Sequence, residues 1–100
     1  MLNLQPHLDA ALIMSAARGR RIVVKVLLAL GANKNTQNDW GDTPMVYAAL
    51  NGHKCIVEDL LAIGADKEIR NNAGDTALSL LSRVPAGATN CGRDIIKILQ

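Results

Sequence analysis

The chain repeats itself every 33 residues, and that period constrains its fold more than any single motif. "GDT" stands at 41–43 and again at 74–76, and "LGAN" at 30–33 answers "IGAD" at 63–66, each pair 33 residues apart. "IVVKVLLALGA" at 22–32 lies over "CIVEDLLAIGA" at 55–65, and Gly19 over Gly52. A fixed period of this length describes an array of small units. No unit can bury its apolar face alone, so each stacks on its neighbours.

Within a unit the text reads as helix, short turn, helix, long turn. In "TPMVYAALNG", Thr43 is placed to cap a helix and Pro44 to open it, while Gly52 supplies the stop. In "HKCIVEDLLAIGA", Ile56, Val57, Leu60, Leu61 and Ile63 recur at helical spacing before Gly64. "DKEIRNNAGD" is polar and suits a tight reversal. The same reading predicts helices near 8–18, 21–30, 76–83 and 92–100.

The unit at 41–70 carries Gly41, Thr43, Pro44, Ala48, Ala49, Gly52, His53, Ile56, Val57, Leu60, Leu61, Gly64, Ala65 and Asp66. In this the chain resembles the ankyrin repeat family over about 8–100. The resemblance implies an all-α, ankyrin-type helix-turn-helix solenoid with hairpin-like loops. It forms a single domain over 1–100, with units near 8–37, 38–70 and 71–100. The departures are specific. The family's usual His after "TPL" is Val46 here and Ser79 in the third unit. Leu8 and Ala10 stand where the first unit would have Gly and Thr, so its turn is expected to be built differently. Aligning Ile56-Val57 with Ile95-Ile96 gives an offset of 39, which predicts six inserted residues in "VPAGATNCGR".

Apolar residues make up 49% of the chain, but Phe is absent and Trp40 and Tyr47 are its only aromatics. The core is therefore expected to be aliphatic, built from helices that approach closely. A net charge of +2 argues for neither nucleic acid nor membrane. The cluster Arg18, Arg20, Arg21 and Lys25 reads as a solvated helix start. No leader pattern opens the chain, and no apolar run approaches the roughly 20 residues that span a bilayer. Cys55 and Cys91 lack metal spacing and do not form a disulfide scaffold, so both are read as free thiols. Cys55 is expected to be a small buried side chain and Cys91 an exposed one. The expected location is intracellular, the cytoplasm first, with the nucleus also open.

Candidate chemistry dissolves on inspection. Thr43 has no neighbouring base, and His53 no second ligand at metal spacing, so they read as a cap and a register contact. Glu58 and Asp59 are adjacent on a helix and diverge by about 100°. No phosphate loop or nucleophile elbow is present. The chain is therefore read as non-catalytic, without cofactor or metal, binding a protein or peptide.

The resemblance implies that partners dock on turn tips and the inner helices. By position these are Gln37–Asp42 and Arg70–Asp75, then Ala17 and Arg18, Leu50 and Asn51, and Arg83 and Val84. Trp40, in the polar turn "QNDWGDT", is the residue out of place. Its ring either meets a partner or folds back over the adjacent turn. With Leu50 it would form an apolar centre, rimmed by Asp39, Asp42, Asn51, Asn72, Asp75, Arg18, Arg70 and Arg83. A rival reading makes the domain a self-associating or targeting module of a larger protein. Its docking face would then be the last helix, through Ile95, Ile96, Ile98 and Leu99. Either the inserted loop, a second copy, or a continuing chain would cover that face.

Overall fold

Thr43 and Pro44 show how the local text becomes structure. Thr43 is extended at ψ 166°, and its Oγ1 accepts from the Val46 N–H at 3.4 Å, which satisfies a donor that the helix itself cannot. Pro44 follows in the first turn, where its missing N–H costs nothing. The same grammar, repeated, gives six helices in a computed structural model that describes residues 3–83 and 92–100. They are α1 (Gln5–Arg18), α2 (Arg21–Ala29), α3 (Pro44–Leu50), α4 (Lys54–Ala62), α5 (Ala77–Arg83) and α6 (Gly92–Leu99). No strand occurs among the described residues.

The helices pair as α1–α2, α3–α4 and α5–α6, and the pairs stack in chain order. α1, α3 and α5 form the inner layer, with α2, α4 and α6 behind them. The result is elongated, 47 × 28 × 21 Å. α3 lies at the centre and is buried on nearly every side, through Pro44, Met45, Val46, Ala48 and Ala49. Ala48 and Ala49 are fully buried, and only side chains that small let α1 and α5 close on both flanks. Leu12, Val24, Ile56, Val57, Leu60, Leu81, Ile95 and Leu99 complete the core. Each large aliphatic chain so buried contributes about 1.5–3 kcal/mol.

The seams between units carry polar locks. His53 Nε2 donates to the Ala17 carbonyl at 3.0 Å, and Asn51 Nδ2 donates to the same oxygen at 2.8 Å. Two side chains of the second unit thereby satisfy a carbonyl that the end of α1 leaves open. His53 is the register contact that the repeat pattern implies.

Several expectations are corrected. α1 starts at Gln5 rather than near residue 8, because Pro6 fits its first turn and Asn3 Oδ1 accepts from the Gln5 N–H at 3.0 Å. Cys55 is exposed, not buried: it lies on the outward side of α4, while Ile56 and Val57 turn inward. Ile95 and Leu99 of α6 are buried, and Ile96 and Ile98 pack against the same core. The apolar side of the last helix is thus occupied within the array. Val84, Cys91 and most of the segment expected to hold the insertion fall in residues 84–91, outside the described residues.

Candidate functional site

Two turns project beyond the inner helices, and they are bonded alike. In "NDWGD" (38–42), the Asn38 N–H donates to the Asp42 carbonyl at 3.0 Å and the Gly41 N–H to the Asn38 carbonyl at 2.9 Å. Asn38 Oδ1 accepts from the N–H groups of Trp40 and Asp42, both at 3.0 Å. In "NNAGD" (71–75), Asn71 makes the equivalent bonds with Asp75, Gly74 and Ala73. An Asn side chain that folds over its own turn is the reason both reversals are tight.

The tips are also bonded to each other. The Asn72 N–H donates to the Trp40 carbonyl at 3.0 Å, and Asn72 Nδ2 to the Asp39 carbonyl at 2.7 Å. Gln37 Nε2 donates to the carbonyls of Gly41 at 2.8 Å and Arg70 at 3.1 Å. The approach is close enough that a Cβ on Gly41 would lie 2.7 Å from the Asn72 nitrogen. Gly41 also sits at φ +81°, so both contact and conformation require glycine.

Trp40 stands clear of all this at 69% exposure. Its ring is therefore not folded into the domain. The equivalent position in the second tip is Ala73, which makes the same backbone bond to its own Asn. The turn has no structural need for an indole. Trp40 forms one wall of a cleft of about 550 Å³, with Asn38 and Asp39 beside it. Pro6, Asp9, Ala10 and Ile13 of α1 form the opposite wall. The early start of α1 builds this wall, since residues 5–9 would otherwise form a tip of their own.

The remaining sequence candidates divide sharply. Asp39 lines the cleft with Trp40. Asp42 does not project: Oδ1 accepts from Asn71 Nδ2 at 3.0 Å, and Oδ2 from the Tyr47 hydroxyl at 3.2 Å. Asn38 Nδ2 donates to that hydroxyl at 2.8 Å. Tyr47 thus ties down the turn where the family's usual His is missing. In the third unit, Ser79 and Thr76 do so by exchanging backbone bonds at 2.9 and 3.2 Å.

Asp75 is buried, contrary to its expected place on a charged rim. Its oxygens accept from Arg83 Nη2 at 2.8 Å, Arg83 Nη1 at 3.0 Å and Ser79 Oγ at 3.2 Å. Arg83 is correspondingly committed to Asp75, and Asn72 to the first tip. Leu50 is half-buried and packs on the core rather than lying open beside Trp40. Asn51 is used at the seam with Ala17, while Arg18 and Arg70 are exposed. Arg70 makes only a long bond, 3.5 Å, to the Gly74 carbonyl. None of these seven residues lines the Trp40 cleft. Sequence reasoning missed Pro6, Asp9, Ala10 and Ile13. The available signal was the absence of the first unit's Gly and Thr, which leaves α1 free to run on through that segment.

Among the described residues, no three His, Cys, Asp or Glu side chains are grouped to hold a metal ion. No described helix is long and apolar enough to cross a membrane. A family model described as ankyrin repeats (3 copies) matches residues 12–99. No curated protein matches the chain.

Proposed function

The chain belongs to the ankyrin repeat family, whose members generally act as protein–protein interaction modules, and from that premise we propose that it captures a peptide segment in the Trp40 cleft. One observation carries the reading. An indole stands 69% exposed on a turn whose counterpart holds its shape with Ala73. A large exposed aromatic with no structural task suits a binding anchor, because it offers much contact area for little lost entropy.

The cleft also indicates the kind of segment. Its charged groups are Asp9 and Asp39, and its apolar ones include Pro6, Ala10, Ile13 and Trp40. The occupant is a segment with an apolar side chain next to a Lys or Arg. The cation would lie over the indole face, between the carboxylates. This moves the register-setting role from Asp42 and Asp75, which are consumed internally, to Asp39, with only the second oxygen of Asp9 beside it, since Asp9 Oδ1 accepts from Gln5 Nε2 at 2.7 Å and from the Asn33 N–H at 2.8 Å.

The test is selection of binders from a displayed random-peptide library, followed by titration against wild type, Trp40→Ala and Asp39→Asn. Selected peptides should share a basic residue beside an apolar one. Trp40→Ala should weaken them tenfold or more. Peptides that bind Trp40→Ala as tightly as wild type would remove the anchor role.

A further inference from the structure

Asn51 and Gly52 form the only Asn-Gly pair of the chain. Such a pair carries a reaction of its own. The glycine nitrogen can attack the Asn side-chain carbonyl carbon, because no Cβ on the following residue stands in the way. A C–N bond forms and ammonia leaves, which closes a five-membered imide. Water then adds to one of the two imide carbonyls. Opening on one side gives aspartate. Opening on the other gives isoaspartate, in which the main chain runs through the former side chain. Either way an amide and one water become a carboxylate and ammonium, with no other reactant.

The seam between the first two units holds this reaction off. Asn51 is fixed at φ −93° and ψ 5° behind α3, and ring closure needs a ψ far from that value. The Gly52 N–H, which the attack must give up, donates to the Ala49 carbonyl at 3.2 Å. The His53 N–H closes the same turn on the Ala48 carbonyl at 2.8 Å. The Asn51 amide is itself tied across the seam, with Nδ2 donating to the Ala17 carbonyl at 2.8 Å, and His53 Nε2 holds the same oxygen at 3.0 Å. Yet Asn51 is exposed, so water reaches the pair whenever the turn lets go. Letting go of one turn costs less than unfolding the array.

The product does not restore what the amide held. A carboxylate at position 51 has no N–H for the Ala17 carbonyl, and two acceptors would face each other there. Isoaspartate also adds a methylene to the main chain between α3 and His53. The N–H groups of Gly52 and His53 then no longer meet Ala49 and Ala48 in register.

We infer that Asn51 is a site of spontaneous deamidation, gated by opening of the seam between the first two units, and that its product keeps that seam weakened. Peptide mapping by mass spectrometry during warm, mildly alkaline incubation tests it, read as exchange of the Asn51 amide for a carboxylate. The reference for each chain is a synthetic peptide of its own residues 47–56. The folded wild type should react at Asn51 about tenfold or more slowly than its peptide, the protection expected of a closed turn. His53→Ala, which removes a seam bond and leaves the pair intact, should lose much of that protection. Should His53→Ala fail to fold, wild type in urea below its unfolding midpoint gives the second readout, a rate that rises with urea. Aged protein enriched in the product, and Asn51→Asp, should both unfold at lower denaturant than wild type. A folded wild type that reacts as fast as its peptide overturns the inference. So does protection indifferent to both His53→Ala and urea, or a product as stable as the parent.

Discussion

The imidazole of His53 fills the space beside Gly19: a Cβ built on Gly19 would lie 2.6 Å from the ring. The ring cannot swing aside without losing its 3.0 Å bond to the Ala17 carbonyl. Gly19 also adopts φ +75°. Gly19→Ala therefore combines backbone strain with overpacking and should cost about 2–4 kcal/mol. Gly31→Ala is the control. Gly31 has φ +101° but open space around it, so strain alone applies, about 1–2 kcal/mol. Denaturant midpoints of the two variants separate the contact from the conformation.

Trp40 is the chain's only tryptophan and is largely in water. Its emission should be that of a solvated indole, and a small neutral quencher should reach it freely. Binding in the cleft should shift that emission to the blue and protect it. Trp40→Ala should leave the unfolding midpoint within about 0.5 kcal/mol of wild type, as a surface change does. A larger loss would mean that the ring supports the turn after all.

Asp75 should behave in the opposite way. It is buried beneath Arg83 and bonded also to Ser79, and hydrogen bonds to a charged group contribute about 1.5–3 kcal/mol. Asp75→Ala should lower stability by an amount in that range. Peptide affinity, measured on the folded fraction, should not change, because Asp75 does not line the cleft.

Acid should weaken the seam between the first two units. The Arg21 guanidinium, by hydrogen bonding first and by charge second, holds the Asp59 carboxyl below the usual carboxylate range against its partial burial. A carboxyl depressed by folding stabilises the fold above its unfolded pKa, about 3.9, and loses that contribution as pH falls through the folded value. The stability gap between wild type and Asp59→Asn should thus be full near neutrality and close in acid. Salt should narrow it as well, since the Arg21 side chain is 49% exposed. A gap that stays constant with pH would mean the ion pair does not stabilise the seam.

The architecture was legible because the same letters return at one spacing. Thr43 as a cap and His53 as a register contact could be read from their places in the unit. The candidate site was less legible because its arrangement depends on contacts across units. Asp42 reads as a free carboxylate until Asn71, 29 residues on, is seen donating to it. Asp75 reads as a rim charge until Arg83 folds over it. Cys55 was misjudged by its neighbours, because helical position, not the company of Ile56, decides burial. The cleft itself needed α1 to begin at Gln5, an effect of Pro6 and Asn3 that the repeat pattern does not encode.

The matching bond patterns of "NDWGD" and "NNAGD" make positions 40 and 73 interchangeable slots. In each, the backbone is fully specified by the flanking Asn, Gly and Asp, and the side chain is left without a structural duty. Selection can therefore rewrite these slots singly, one tip at a time, without renegotiating the fold. In this chain one slot carries an indole and the other a methyl group. The two tips thus offer separate places where a side chain can change while the hydrogen bonds of its turn stay as they are.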